Sequence, residues 1–139
     1  MDLPSPETIV DDLSFFDDWE QRYQYIIDLG KALPNMPTEL HTPERLVKGC
    51  QSNVWMDIDL SDGKMQFQVD SDALIVKGLL VLVLAAYNDK APQEILDFNI
   101  DNYFQTLDLE RHLSPTRGNG LKAMVGKIRS HAEAYSKLN

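Results

Sequence analysis

The chain contains one cysteine, Cys50, in a run of small and polar residues, Lys48–Asn53. A lone cysteine is most often a small buried hydrophobic residue, but these neighbours are typical of a loop. Gly49 gives the backbone room to expose the sulfur, and the cations of Lys48 and Arg45 would favour the thiolate that nucleophilic sulfur chemistry requires. A functional thiol and an inert one are equally compatible with these residues. One thiol forms neither an internal disulfide nor a cysteine-rich metal site.

Other reactive combinations are weaker. The three histidines, His41, His112 and His131, lie far apart without metal-ligand spacing, so we expect no bound metal. The Gly118–Gly120 segment lacks the preceding strand and following lysine of a phosphate loop, so we expect no nucleotide cofactor. A Cys–His hydrolase would use Cys50 with His41 or His112, but the sequence shows neither an oxyanion hole nor a substrate cleft.

Alternating apolar residues predict a β-hairpin over Asn53–Asp70. Asp62-Gly63 is a favoured two-residue turn. Counting outward from it pairs apolar residues on one face throughout: Leu60 with Met65, Ile58 with Phe67, and Met56 with Val69. No third strand is evident.

Helices are predicted around this hairpin. Ala73–Tyr87 has Lys77 as its only charge and is too short to span a bilayer, so it is predicted to be a buried helix, capped by residues 70–72. Further helices are predicted from Ser5-Pro6, from Asp17 or Asp18 to Leu33, over Pro92–Phe98 and Asn102–Leu107, and from Ser114-Pro115, with a helical turn from Thr42 through Val47. The pattern predicts one α+β domain over residues 1–139, with helices packed on a small antiparallel sheet.

Composition supports a globular protein and limits its partners. The chain has 139 residues, of which 43% are hydrophobic and 25% charged, as in one folded domain. Its net charge of −9 repels nucleic acid and anionic lipid, so we expect neither partner. Acidic residues interrupt the N-terminal segment where a signal peptide would have its apolar run, so we expect a cytoplasmic protein.

Three motifs carry a resemblance to a known family. They are Gly49-Cys50-Gln51-Ser52-Asn53-Val54-Trp55, Asp70-Ser71-Asp72-Ala73-Leu74-Ile75-Val76-Lys77-Gly78-Leu79 and Leu113-Ser114-Pro115-Thr116-Arg117-Gly118-Asn119-Gly120-Leu121. In sequence, order and spacing, they resemble the signatures of the SufE family, and the likeness extends over essentially the whole chain. Gln51-Ser52 resembles the SufE branch more than the sister CsdE branch. The resemblance also implies a fold similar to that of the IscU-type scaffolds.

The resemblance implies a sulfur acceptor. Cys50 would take persulfide sulfur from a PLP-dependent cysteine desulfurase of the SufS type, stimulate that enzyme, and pass the sulfur to the SufBCD scaffold for iron–sulfur cluster assembly. The PLP belongs to the partner, so this chain needs no cofactor of its own and is not itself an enzyme. A homodimer is a further option. An adaptor that binds a desulfurase without accepting sulfur is the main alternative.

Four residues are candidates to support Cys50. Gln51 and Ser52 would either donate hydrogen bonds to a persulfide or pair with the loop backbone. Arg117 would either stabilise the thiolate or form a structural salt bridge. Asp72 is most simply an acid at the start of the long helix.

Two further expectations concern burial. Lys77 is expected to extend to solvent. Cys50 is expected to be partly buried in the isolated protein, in a recess lined by Val47, Val54 and Trp55, and to swing outward when a desulfurase binds.

Overall fold

A computed structural model describes residues 2–138 as helices packed on a two-stranded antiparallel sheet. The strands are β1 (Val54–Ser61) and β2 (Lys64–Ser71). The helices are α1 (Pro6–Ser14), α2 (Trp19–Lys31), α3 (Leu74–Tyr87), α4 (Pro92–Asp97), α5 (Ile100–Thr106), α6 (Leu109–His112) and α7 (Pro115–Ser136), with 3-10 turns at Thr38–Leu40 and Pro43–Arg45. The predicted α+β class is confirmed.

Local sequence signals explain where three helices begin. The side chains of Ser5, Asp18 and Ser114 each accept a hydrogen bond from the backbone N–H three residues later, at 3.1, 2.8 and 3.3 Å. These bonds satisfy amide groups that a helix start leaves without partners. One predicted helix start is wrong, since α5 begins at Ile100 rather than at Asn102, and α6 was not predicted.

The hairpin has the predicted register, with Met56 opposite Val69, Ile58 opposite Phe67, and Leu60 opposite Met65. Asp62 and Gly63 both adopt positive φ angles, 53° and 77°, as a type I′ turn requires. One face of the hairpin therefore enters the core, which α3 fills almost completely.

The helical turn expected from Thr42 through Val47 is present but shorter, as a 3-10 turn over Pro43–Arg45. The turn ends at Arg45, and the backbone of Leu46 is extended and bridges to Trp55. The Val47 N–H donates to the Val54 carbonyl oxygen at 2.8 Å. The predicted end at Val47 is wrong because pairing with β1 buries Val47, which local helix signals do not report.

The start of α3 also differs from the prediction. Its N-cap is Ala73, which has no side-chain hydrogen bond, and Ser71 belongs to β2. Asp72 precedes the helix, and its carboxylate accepts a hydrogen bond from the Asn53 N–H at 3.1 Å. The carboxylate therefore closes a loop instead of capping the helix.

Glycines allow α2 and α3 to pack with their backbones in contact. A Cβ on Gly78 would overlap the carbonyl oxygen of Ile26, and a Cβ on Gly30 would lie 2.5 Å from the Gly78 nitrogen. Leu80, Leu82 and their neighbours on α3 are fully buried. Although α3 is very apolar, no helix among residues 2–138 combines the length and hydropathy needed to cross a bilayer.

Candidate functional site

Cys50 lies on a loop, residues 48–53, whose two ends are tied to the fold. The Val47–Val54 hydrogen bond closes its base. At its far end, Asn53 donates to the Asp72 carboxylate and accepts from the Asp72 N–H at 3.3 Å. From the sequence, Asp72 was assigned to the start of the helix, and these two hydrogen bonds were missed. Through them, Asp72 positions the end of the cysteine loop.

The side chain of Cys50 points into the protein and is partly buried. Its Sγ lies 3.5 Å from the Gly120 carbonyl oxygen on α7, in the geometry of a weak S–H donor. The recess around it has a volume of about 400 Å³. Its lining residues come from the loop, β1, α3 and α7: Cys50, Gln51, Ser52, Val54, Val76, Leu79, Ser114, Thr116, Arg117, Gly120 and Met124.

The expected partial burial of Cys50 is confirmed, but the residues that line its recess differ from those predicted. Val54 lines the recess as expected, whereas Val47 and Trp55 do not. Val76, Leu79 and Met124 supply apolar walls instead. These positions were recognisable only as core residues, because their sequence positions do not show which of them face the cysteine.

Two glycines let the loop and α7 approach each other. Gly49 has φ of +95°, which disfavours other residues, and a Cβ there would lie 3.2 Å from the Ala123 Cβ. A Cβ on Gly120 would lie 3.4 Å from the Cys50 Sγ. α7 runs unbroken from Pro115 through Gly118 and Gly120.

Burial raises the pKa of the Cys50 thiol above its ordinary value. The cations of Arg45 and Lys48, which were expected to favour the thiolate, do not lower this pKa. Arg45 donates instead to Asp57 at 2.7 Å, and Lys48 is exposed. In the inward position, burial therefore favours the neutral thiol over the thiolate.

Gln51 and Ser52 line the recess beside the sulfur. Within residues 2–138, neither side chain makes a hydrogen bond to the protein. The expected alternative, that these side chains form hydrogen bonds with the loop backbone, is therefore not observed for the described residues. Donation to a persulfide stays a prediction.

Arg117 also lines the recess, at the start of α7. Its guanidinium lies over the ring of Tyr23 on α2, 5.9 Å from the ring centre, a cation–π arrangement. No ion pair of Arg117 occurs among the residues described, so the salt bridge considered from sequence is not what holds it. The side chain connects α2 to the rim of the recess.

No histidine lines the recess. His112 stacks on Trp19, with ring centres 4.2 Å apart, and His131 donates from Nδ1 to the Lys127 carbonyl oxygen of its own helix. Within the described part of the chain, Cys50 therefore lacks the adjacent base that a Cys–His hydrolase uses. Over the same residues, no group of three His, Cys, Asp or Glu side chains could hold a metal ion.

His41 takes part in a separate polar cluster on the sheet. Its Nε2 lies 2.7 Å from one oxygen of Asp70, and Lys77 Nζ lies 3.3 Å from the other. The expectation that Lys77 extends freely to solvent is thus wrong. The hydrogen bond to Asp70 raises the pKa of His41. Burial raises the pKa of Asp70, but hydrogen bonds from His41, Ser71 and Lys77 outweigh it and leave that pKa lowered.

This cluster gives a pH-dependent contribution to stability. Because the pKa of folded His41 lies above the ordinary 6.5, its contribution is complete below that pH and is lost as pH rises through the raised value. We expect His41→Gln to lower the urea midpoint more at pH 5.5 than at pH 9. Equal lowering at both pH values would contradict this assignment.

The fold and the site define a small α+β protein that presents one cysteine, turned inward, on a loop tied at both ends. The family described as SufE, Fe-S metabolism associated domain, matches residues 7–132. The chain therefore belongs to the SufE family and is associated with iron–sulfur metabolism.

Similar proteins agree with this assignment. A protein of Rhizobium etli described as an uncharacterized SufE-like protein is 44% identical over 135 residues, covering 94% of this chain and 91% of its own. One of Rhizobium meliloti (strain 1021) with the same description is 42% identical, covering 94% of this chain and 96% of its own. The solution structure of a hypothetical protein from Thermus thermophilus shares the fold, with a TM-score of 0.77, 19% identity and 99% coverage of both chains.

Proposed function

We propose that the protein is a sulfur acceptor and carrier, with Cys50 as the residue that becomes a persulfide. The observation that carries this proposal is the position of the only thiol of the chain, on a closed loop above a recess of about 400 Å³. A relay needs one sulfur without a nearby resolving thiol, which would expel the cargo as a disulfide. Family membership adds the association with iron–sulfur metabolism.

The transfer step is a sulfur exchange that needs no oxidant. Cys50 loses its proton to solvent as the loop turns outward, and its thiolate attacks the terminal sulfur of a persulfide on the donor. The new bond joins that sulfur to the Cys50 Sγ, the donor's S–S bond breaks, and the donor cysteine leaves as a thiolate. Electrons and atoms balance, and the chain then carries a persulfide.

The recess provides a place for this cargo. When the loop turns back inward, Val76, Leu79 and Met124 would shield the added sulfur from small thiols. Gln51 and Ser52, whose side chains have no protein partner among residues 2–138, would donate to the persulfide anion. Arg117 at the rim would contribute a positive charge.

The proposed donor is a PLP-dependent cysteine desulfurase of the SufS type, and the proposed recipient is the SufBCD scaffold. By unloading the desulfurase, the protein would raise its turnover, although it is not an enzyme itself. This role is consistent with the expected cytoplasmic location, which stays a prediction.

Mass spectrometry tests the proposal directly. After incubation with a SufS-type desulfurase and cysteine, we expect Cys50 to gain about 32 Da per added sulfur, and reductant to remove it. Cys50→Ser should show no gain and should fail to stimulate the desulfurase. An unmodified Cys50 after many turnovers would refute the acceptor role.

The same pair of proteins distinguishes the alternative function. A non-accepting adaptor would stimulate the desulfurase equally well with Ser in place of Cys50, because only docking would matter. Stimulation lost together with the persulfide supports the carrier.

A further inference from the structure

The outer edge of β2 is paired at one end and unpaired along the rest. Met65 donates to the Lys90 carbonyl oxygen at 2.8 Å and accepts from the Asp89 N–H at 2.9 Å. Residues two positions apart in an antiparallel strand point their backbone groups to the same edge. The N–H and C=O groups of Phe67 and Val69 therefore point outward, as those of Met65 do.

These outward groups have no partner among residues 2–138. No hydrogen bond from outside the hairpin reaches the backbone of Phe67 or Val69. Each of the two residues is only 4% exposed, so their unpaired backbone groups lie at a buried edge. Because buried backbone groups in folded proteins are nearly always paired, this edge is ready to accept a partner.

A groove of about 220 Å³ runs beside this edge. The Leu33–Met36 segment forms its opposite wall, and no hydrogen bond crosses from that wall to β2. Asn88 also lines the groove, and its Oδ1 is buried without a partner. The unpaired backbone groups of Phe67 and Val69 and the Oδ1 of Asn88 therefore all border the same groove.

The chemistry of the lining selects the kind of occupant. Its polar side chains are the carboxamides of Asn35, Gln66, Gln68 and Asn88, and none of its side chains is charged, in a chain of net charge −9. Carboxamides and a bare strand edge complement neutral donors and acceptors, which is what a peptide backbone offers.

We propose that the groove binds an extended, uncharged peptide segment of a partner protein, which pairs with Phe67 and Val69 as an added strand. A second copy of this chain fits less well, since its own hairpin would have to enter past the Leu33–Met36 wall. No residue lines both this groove and the Cys50 recess. A partner can therefore hold the groove while the cysteine loop is free to move, and the proposal does not depend on the sulfur role.

Nuclear magnetic resonance with a defined probe tests the proposal. The probe is an acetylated, amidated hexapeptide of alternating valine and threonine, titrated into the ¹⁵N-labelled full chain. We expect saturable downfield shifts of the Phe67 and Val69 amide protons, and hydrogen exchange of both amides slowed by about tenfold. The amide of Met65, already bonded to Lys90, should change little.

Two controls separate strand pairing from loose contact. The same peptide with alternate N-methylated amides cannot complete the ladder and should bind about tenfold more weakly. Asn35→Trp should fill the groove and abolish the shifts, whereas Gln93→Trp, an exposed position on α4, should leave them unchanged.

Three results would overturn the proposal. One is the absence of saturable shifts at Phe67 and Val69 up to several millimolar peptide. Another is equal binding of the N-methylated peptide. The third is a concentration-dependent dimer in which these two amides are already protected without peptide, which would assign the edge to a second copy.

Discussion

Replacing Gly78 by alanine is expected to cost about 3 kcal/mol of unfolding free energy or more, because the added methyl group has no space. It would overlap the backbone carbonyl of Ile26, and neither of the two packed helices can shift without disturbing the core. Since a domain of this size is stabilised by only about 5–15 kcal/mol, the loss would appear as a large drop in the urea midpoint.

Gly126 on α7 is the matched control. It is also a glycine inside a helix, but a Cβ there would meet nothing within 4 Å. Gly126→Ala should stabilise the protein by about 0.5–1 kcal/mol through helix propensity alone. If both variants unfold at the same urea concentration, the close approach of α2 and α3 is not what requires Gly78.

Alkylation of Cys50 by iodoacetamide is expected to be slow in the isolated protein and about tenfold faster or more when a SufS-type desulfurase is bound. In the free protein, burial raises the pKa of the thiol, and the recess walls hinder the reagent. Turning the loop outward removes both effects. The rate follows from mass spectrometry of quenched samples at one pH.

The protein unfolded in urea gives the rate for an open thiol, so it sets the upper limit for the bound state. A free protein that reacts as fast as the unfolded chain would contradict the sheltered position of Cys50. Equal rates with and without desulfurase would contradict the outward movement, while leaving the acceptor role intact.

The sequence predicted the hairpin and its register because that information is local. The Asp62-Gly63 turn fixes the pairing, and alternation from Leu60 and Met65 outward confirms it within a few residues. Helix starts at Ser5, Asp18 and Ser114 were predictable for the same reason. Where distant contacts decide, as for the extended Leu46–Val47 segment, local signals were overruled by pairing with β1.

In the candidate site, too, features set by neighbouring residues were predictable and contacts between distant segments were not. Cys50 was recognisable from its own neighbours. Its partial burial was expected because an exposed thiol or persulfide would be oxidised or would lose its sulfur to small thiols. The predicted register places Asn53 opposite Asp72 just beyond the two strands, but their hydrogen bonds were missed because Asp72 was assigned to the start of the helix instead. The contact of Cys50 with Gly120 was also hidden, because it depends on how closely α7 passes the loop.

The loop that bears Cys50 is fastened at its base by the Val47–Val54 bond, and this sets how far the sulfur can travel. The chain between these residues spans about 25 Å when fully extended, and paired strand residues are about 5 Å apart, so its tip can extend by about 12 Å at most. The Asn53–Asp72 bonds shorten this reach further while they persist. A donor sulfur buried deeper than about 12 Å, plus the length of one side chain, is thus out of range. Under the proposed function, the donor would therefore hold its own cysteine near a surface that fits over the N-terminal ends of α3 and α7, which line the recess.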